Sequence, residues 1–245
     1  MLEDTYEKFY QLDLTHWFPS GRRRVLQGLV DRFASRPLRI ADIGCGTGAN
    51  LKMLAQYGSV IGVDTFPKAV WYCRERGFPK CLVGSLPQLP FPDGTFGLVC
   101  AIDVIEHIDD DAAAVRELVR ICRPGGTLLI TVPAYEWLWS EHDDANLHKR
   151  RYTRPRLQKL FTGQDVDLVK LTHFNFLLSP PIVLVRAIGK LKHRFQPSPH
   201  PRLDYAETPA PLNALLLHLF SWERFLVNYV DAPFGISIAC LARKR

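Results

Sequence analysis

The chain has 245 residues, enough for one sizeable domain with additions. Its 47% hydrophobic and 23% charged residues are soluble globular values. The formal net charge of +6 favours anionic partners, but the excess is too modest to imply nucleic acid by itself. The six cysteines (45, 73, 81, 100, 122 and 240) contain no C-x-x-C pair. They read as buried small apolar residues in a reducing compartment, not as a disulfide framework or zinc site. The stretch Met1-Leu2-Glu3-Asp4 is acidic and has no apolar run after it, so no signal peptide is expected and the expected location is the cytoplasm.

In chain order, residues 5–35 read as helical with a break at Phe18-Pro19-Ser20-Gly21, giving an N-terminal helical cap over 1–36. Strands and helices then alternate: strand 38–43, helix 49–57, strand 59–64, helix 67–76, strand 80–84, strand 97–103, helix 110–121 and strand 127–132. Helix 154–161, a strand near 165–174 and a last strand over 235–242 follow. Alternation with near-continuous apolar strands predicts an α/β fold, a doubly wound, mostly parallel sheet covered on both faces. The core is expected over 37–174, with a polar, aromatic substrate loop at 134–152. A helical insertion over 175–232 and a final core strand within 233–245 complete it.

The run Ile40-Ala41-Asp42-Ile43-Gly44-Cys45-Gly46-Thr47-Gly48 carries the most information. An apolar strand ends in a turn with three alternating glycines, which admit positive φ and clear every Cβ from one face. A second apolar strand, Val60-Ile61-Gly62-Val63, leads to Asp64, 20 residues past Gly44. A carboxylate at that distance takes ribose hydroxyls in nucleotide-binding βαβ units. These residues point to an adenosine-containing ligand. Gly44, Gly46 and Ala49 satisfy the dinucleotide fingerprint formally, so an NAD-linked oxidoreductase stays open on the glycines alone. Asp42 argues against it: a carboxylate at the turn repels pyrophosphate and attracts a sulfonium or an amino group.

The pattern Asp42-Ile43-Gly44-Cys45-Gly46-Thr47-Gly48 resembles motif I of the class I S-adenosylmethionine-dependent methyltransferases, in the small-molecule, type 11-like branch. Leu89-Pro90-Phe91-Pro92-Asp93-Gly94-Thr95-Phe96, Asp103-Val104-Ile105-Glu106-His107-Ile108 and Arg123-Pro124-Gly125-Gly126-Thr127-Leu128 are similar to later segments of that family, in its order, across residues 38 to 133. The chain departs from the pattern at Val83-Gly84-Ser85, where the family commonly has an aspartate facing the adenine, and at Phe96-Gly97, where it has Phe-Asp. The resemblance implies a Rossmann-like fold and S-adenosyl-L-methionine as cofactor, with S-adenosyl-L-homocysteine as product. It implies that Asp42, Gly44, Cys45, Gly46 and Gly48 meet the methionine part. Asp64 and Thr65 would hold the ribose, Ser85 and Leu86 would flank the adenine, and Asp103 would stand at the strand end beside them.

The substrate loop reads Tyr135-Glu136-Trp137-Leu138-Trp139-Ser140-Glu141-His142-Asp143-Asp144, then His148-Lys149-Arg150-Arg151-Tyr152. It resembles a Trp-Ser-x-His-Asp … His-x-Arg-Arg-Tyr pattern in methyltransferases found with cell-envelope and glycan-modifying enzymes. One reading makes His142 a general base and Arg150 or Arg151 an anion clamp, since a guanidinium binds both oxygens of a carboxylate or phosphate. The plain alternative is a salt-bridged lid. His107 stands open between a base and a structural role. His142, His107, Trp17, Tyr135, Trp139, Asp143, His148, Arg150, Arg151 and Tyr152 are therefore the candidate catalytic and substrate residues. No metal is expected: His142, Asp143 and His148 are ligand types, but their spacing matches no common site.

Two apolar stretches, Phe174 to Val185 and Leu212 to Tyr229, flank cations at Arg186, Lys190, Lys192, His193 and Arg194 and the prolines 197, 199 and 201. The first is too short and too broken by Pro180-Pro181 to span a bilayer. An interfacial anchor, a cap over a lipid-like substrate, a homodimer interface and plain packing all fit them. The expected function is methyl transfer to oxygen or nitrogen of a small-molecule, glycan or lipid-linked acceptor, anionic in character and not nucleic acid, by a monomer or homodimer. A non-catalytic protein of the same fold, acting as a membrane-associated partner, is the alternative.

Overall fold

The computed structural model describes residues 3–34, 38–195 and 208–245, with side chains from residue 6 onward except at 191–195. Met1, Leu2 and the prolines 197, 199 and 201 lie outside the described residues, as do the side chains of Lys192, His193 and Arg194.

Seven strands form one sheet: β1 (Leu38–Ile43), β2 (Gly58–Asp64), β3 (Cys81–Val83), β4 (Phe96–Ile102), β5 (Cys122–Pro133), β6 (Val166–Phe174) and β7 (Ser237–Lys244). Their order is β3-β2-β1-β4-β5-β7-β6, with β7 antiparallel to both neighbours and the other pairings parallel. This is the expected doubly wound architecture. The order reverses between β1 and β4, and in open parallel sheets the crevice at that switch, beyond the strands' carboxyl ends, is where ligands bind. β4 is buried along its whole length, which explains its uninterrupted apolar reading in the sequence.

Helices cover both faces. α1 (Glu3–Leu12) and α2 (Trp17–Phe33) precede the sheet, and α3 (Leu51–Leu54), α4 (Pro67–Glu75) and α5 (Asp111–Ile121) follow β1, β2 and β4. α2 begins at Trp17 and carries Pro19, Ser20 and Gly21 buried within it, so the helical break falls at 13–16 and not at 18–21. Proline sits there at little cost because a first-turn N–H has no intrahelical acceptor. α3 spans four residues where a helix over 49–57 was expected, because the chain turns straight into β2 after Leu54. β5 starts at Cys122, five residues earlier than the apolar pattern predicts.

The two apolar stretches form α8 (Ser179–Phe195) and α9 (Ala210–Leu226), preceded in the chain by α6 (Glu141–Ala145) and α7 (Arg154–Lys159). Pro180 and Pro181 open α8 rather than interrupting it. α9 packs on α2: Phe220 is fully buried, and a Cβ at Gly21 would stand 2.4 Å from its ring. Glu223 anchors α9 to the end of β6, accepting the backbone N–H groups of Asn175 at 2.5 Å and Leu177 at 2.8 Å. Burial pushes its carboxyl up to about 7 against those hydrogen bonds. On the outer side of α9, Leu212, Leu215, Leu219, Trp222 and Phe225 are exposed. The described cations of α8 face the loop after β5: Arg186 donates to the Leu138 carbonyl and Lys190 to that of Trp137. Among the described residues, no helix is long and apolar enough to cross a membrane.

Candidate active site

A cavity of about 310 Å³ opens at the switch between β1 and β4. One end is the turn after β1. Gly44 has φ +70, and a Cβ there would lie 2.4 Å from Val104, so no other residue fits. Gly46 has φ +54 and faces open space, so its bare backbone lines the cavity. Gly48 sits deeper, against Cys73, and does not line it.

Asp64, at the end of β2, is 5% exposed. It accepts the Gly46 N–H at 2.9 Å, the Phe66 N–H at 3.0 Å and the Tyr6 hydroxyl at 3.2 Å. Burial raises its pKa and these donors oppose the rise. The carboxylate thus ties the glycine turn to β2 while reaching the cavity wall, where Cys45, Thr65 and Leu86 also stand. Ser85 is turned away and donates to the Leu86 carbonyl at 3.0 Å. Asp42 is 1% exposed, has no hydrogen-bond partner, and lies beneath the turn rather than on the cavity wall. Burial, with Cys81 and Asp64 nearby, pushes its pKa up to about 8. Behind the turn, Cys45 and Cys73 bring their sulfurs to 3.7 Å, with Cys81 adjacent. All six cysteines are buried free thiols.

Asp103 closes the floor with φ +55, a strained conformation for a residue with a Cβ. Its surroundings over-determine it: its N–H bonds the Thr131 carbonyl, its Oδ1 takes the Thr131 hydroxyl at 2.8 Å, and its Oδ2 pairs with Arg22. Strain of this kind collects at functional sites. Sequence reasoning offered Trp17 and Phe18 as a cover from the N-terminal helices and missed Tyr6, Phe9, Asp13 and Arg22. Tyr6, Phe9, Asp13, Phe18 and Arg22 all line the cavity, and Asp13 accepts the Thr47 hydroxyl at 2.6 Å. For Arg22 the signal was the triplet Arg22-Arg23-Arg24, and a basic triplet is usually a solvated face. Trp17 lies elsewhere, its backbone N–H on Asn213 and its ring against Phe18 and Phe220.

The other end belongs to the segment after β4 and the loop after β5. Glu106, His107, His142, Asn146, His148 and Arg151 line it. Asp143 is fully buried beneath them. It takes two hydrogen bonds from Arg151, both at 2.8 Å, one to His148 Nδ1 at 2.8 Å and one from the Ser140 N–H at 2.8 Å. Burial alone would raise its pKa, but His148 and Arg151 outweigh that and hold it well below the usual carboxylate range. His142 contacts Asn146 at 3.1 Å. Burial, and then the neighbouring His148, push His107 down to about 4. Glu106 is fully buried with both carboxylate oxygens unpartnered, and burial raises its pKa strongly.

The remaining substrate candidates stand off the cavity. Arg150 pairs with Asp111 at 3.0 Å, and the Tyr152 hydroxyl donates to the same carboxylate at 2.9 Å. Trp139 donates to Asp144. Tyr135 stacks between His173 and Phe234, its hydroxyl 3.0 Å from His173.

The family described as methyltransferase domain matches residues 41–130. That span runs from the glycine turn through β5. Over the matched residues, the core is similar to class I S-adenosylmethionine-dependent methyltransferase domains. Its cofactor is S-adenosyl-L-methionine. The chain is 31% identical over 127 residues to the 2-methyl-6-phytyl-1,4-hydroquinone methyltransferase of Synechocystis, covering 49% of this chain and 38% of that protein. It is 32% identical over 144 residues to norajmaline N-methyltransferase of Rauvolfia serpentina, covering 51% and 49%. The chain therefore spans half or less of the length of these curated relatives. An S-adenosylmethionine-dependent methyltransferase from Mesorhizobium loti superposes with a TM-score of 0.61 at 14% identity, covering 91% of this chain and 98% of that one; this likeness concerns the fold.

Proposed function

We propose that this methyltransferase domain moves the cofactor's methyl group to oxygen or nitrogen of a small acceptor, including one carried on a glycan or lipid. The observation that carries the reading is the two-ended cavity. The glycine turn and Asp64 stand at one end and three histidines at the other, in a space the size of a small-ligand pocket. The bare backbone at Gly44 and Gly46 suits the methionine part, Asp64 the ribose hydroxyls, and Thr65 with Leu86 the adenine. Asp42, one layer down, acts on the turn rather than on the ligand. Arg22, Arg23 and Arg186 on the wall favour an acceptor with anionic character.

Bound S-adenosylmethionine supplies a sulfonium that is already a good leaving group, so the chain's task is alignment and exclusion of water. His142 lines the acceptor end and takes the proton of an acceptor hydroxyl or ammonium. Support for a small acceptor also comes from the relatives, whose names specify a hydroquinone and an alkaloid.

The test is calorimetric titration with S-adenosylmethionine, S-adenosylhomocysteine and NAD, followed by S-adenosylhomocysteine release across a panel of phenols, hydroxy acids, amines and lipid-linked sugars. Micromolar binding of the first two, none of NAD, and turnover with at least one panel member is the expected result. Cofactor binding without turnover on any class would favour a non-catalytic domain; failure to bind would overturn the reading.

A further inference from the structure

The acceptor end holds an ionisable group that the methyl-transfer reading leaves unexplained. Glu106 is 0% exposed, and neither of its carboxylate oxygens meets a donor. A buried acid in that condition is costly and calls for a cation or donor that the protein itself does not provide. Two imidazoles stand beside it. One ligand atom each from Glu106, His107 and His148 lies within 4.8 Å of the other two. The His107 and His148 rings meet edge to face, with centroids 4.8 Å apart.

Each imidazole is already oriented by a partner outside this trio. His148 Nδ1 is held at 2.8 Å by Asp143, which Arg151 grips with two hydrogen bonds. His107 bonds the backbone of Leu147. An imidazole held at one nitrogen by a carboxylate or backbone group is how metal-bound histidines are supported. Two histidines and one carboxylate with further positions open are the donor set of catalytic zinc and related divalent sites.

We propose that Glu106, His107 and His148 hold a divalent first-row transition-metal cation at the acceptor end of the cavity, with Asp143 as a positioning residue behind His148. This departs from the expectation of no metal. The spacing test considered His142, Asp143 and His148, whereas the fold pairs His148 with residues some 40 positions earlier and sets Asp143 behind it.

The cation's role rests on the methyl-transfer reading; its binding does not. Where the acceptor is a hydroxyl, coordination lowers the hydroxyl pKa and fixes the oxygen. The proton passes to His142, the new O–CH₃ bond forms, the S–CH₃ bond breaks, and its electron pair stays on sulfur. The proposal narrows the acceptor class to ligands that offer a metal-binding oxygen, such as catechols, hydroxy acids or vicinal diols.

The experiment uses the untagged full chain stripped with chelator, titrated with Zn²⁺ by calorimetry and with Co²⁺ by visible absorption, without cofactor. One equivalent should bind, with cobalt d–d bands that lack thiolate charge transfer. Glu106→Gln and His148→Ala should each weaken binding by at least about 100-fold, and Asp143→Asn by about 10- to 100-fold, as loss of the group that orients a ligating histidine does. S-adenosylhomocysteine affinity, measured on the same proteins, should hold in Glu106→Gln, whose side chain has no hydrogen bond to lose. If Glu106→Gln does not fold, His107→Gln takes its place. No stoichiometric binding to the parent, or binding unchanged in these variants, overturns the proposal. So does a thiolate charge-transfer band that persists in Glu106→Gln, because it moves the metal to Cys45, Cys73 and Cys81. Loss of cofactor affinity in the parent would instead count against the methyl-transfer reading and leave the metal result standing.

Discussion

The two ends of the cavity are built by different means. Around the glycine turn, most of the groups come from one continuous stretch, residues 44–65, joined by Tyr6, Asp13 and Leu86, and much of the work is done by backbone: positive-φ glycines, bare amides and a carboxylate accepting N–H groups. At the acceptor end, the groups come from residues 103–107 and 142–151, joined by side-chain pairs, with Asp143 serving Arg151, His148 and Ser140 at once. A backbone-built site tolerates change around it, because its donors belong to every residue type. A side-chain network fails as a unit when one member is lost. The first design suits a cofactor that never varies, the second an acceptor that differs between relatives of one fold.

Four substitutions would break or sharpen that contrast. The largest effect is expected for His142→Ala, which should slow methyl transfer by about 10²- to 10⁴-fold, as loss of a general base does, with S-adenosylhomocysteine affinity unchanged. An unchanged rate would make His142 a structural neighbour of Asn146. Arg151→Met should come next, destabilising the fold by about 3–5 kcal/mol in denaturant titration because it removes two charged hydrogen bonds from buried Asp143 and leaves it with His148 and Ser140. Its pH dependence follows from the sign of the Asp143 shift. The native carboxyl sits below its unfolded value, so its contribution is complete above about pH 4 and is lost as pH falls through the native value. The gap between Arg151→Met and the parent should therefore narrow in acid; a constant gap would contradict the pairing.

Asp64→Ala acts at the other end. It should cut S-adenosylhomocysteine affinity by roughly 30- to 150-fold, equivalent to about 2–3 kcal/mol for lost charged hydrogen bonds, with little change in rate at saturating cofactor. Glu223→Gln should be the mildest, about 1 kcal/mol from one impaired backbone hydrogen bond. Glu223 has a raised native pKa, so the parent should lose stability as pH rises through about 7, and the amide should flatten that part of the melting profile.

The same contrast explains what could be read from residue order alone. The sheet was legible because each strand is a short apolar run bounded by turn residues. The glycine-turn end was legible because the local spacing of Gly44, Gly46 and Asp64 already brings them to one wall of the cavity. The acceptor end was not. Arg150, Arg151 and Tyr152 look equivalent in sequence, yet only Arg151 lines the cavity, while Arg150 and Tyr152 share Asp111. Glu106 resembles an ordinary helix-start acid, and nothing in its neighbours tells that it is buried without a partner. Tyr6 and Asp13 escaped notice because a helix that precedes the sheet by dozens of residues gives no sign of where it folds back. The break misplaced at Pro19 had a simpler cause: proline ends helices and also begins them.

The antiparallel insertion of β7 between β5 and β6 sets an order of assembly. β1, β2, β3 and β4 pair only with strands complete by residue 133, and β5 joins them along its edge to β4, so these five can assemble as the polypeptide leaves the ribosome. β6, although made long before β7, has no other neighbour in the sheet, and the outer edge of β5 stays bare until the same strand arrives. A nascent chain halted after α9 would leave bare the two strand edges that β7 later pairs, the surfaces on which unfinished sheets aggregate. The few residues around Ala239 thus close both edges in one step.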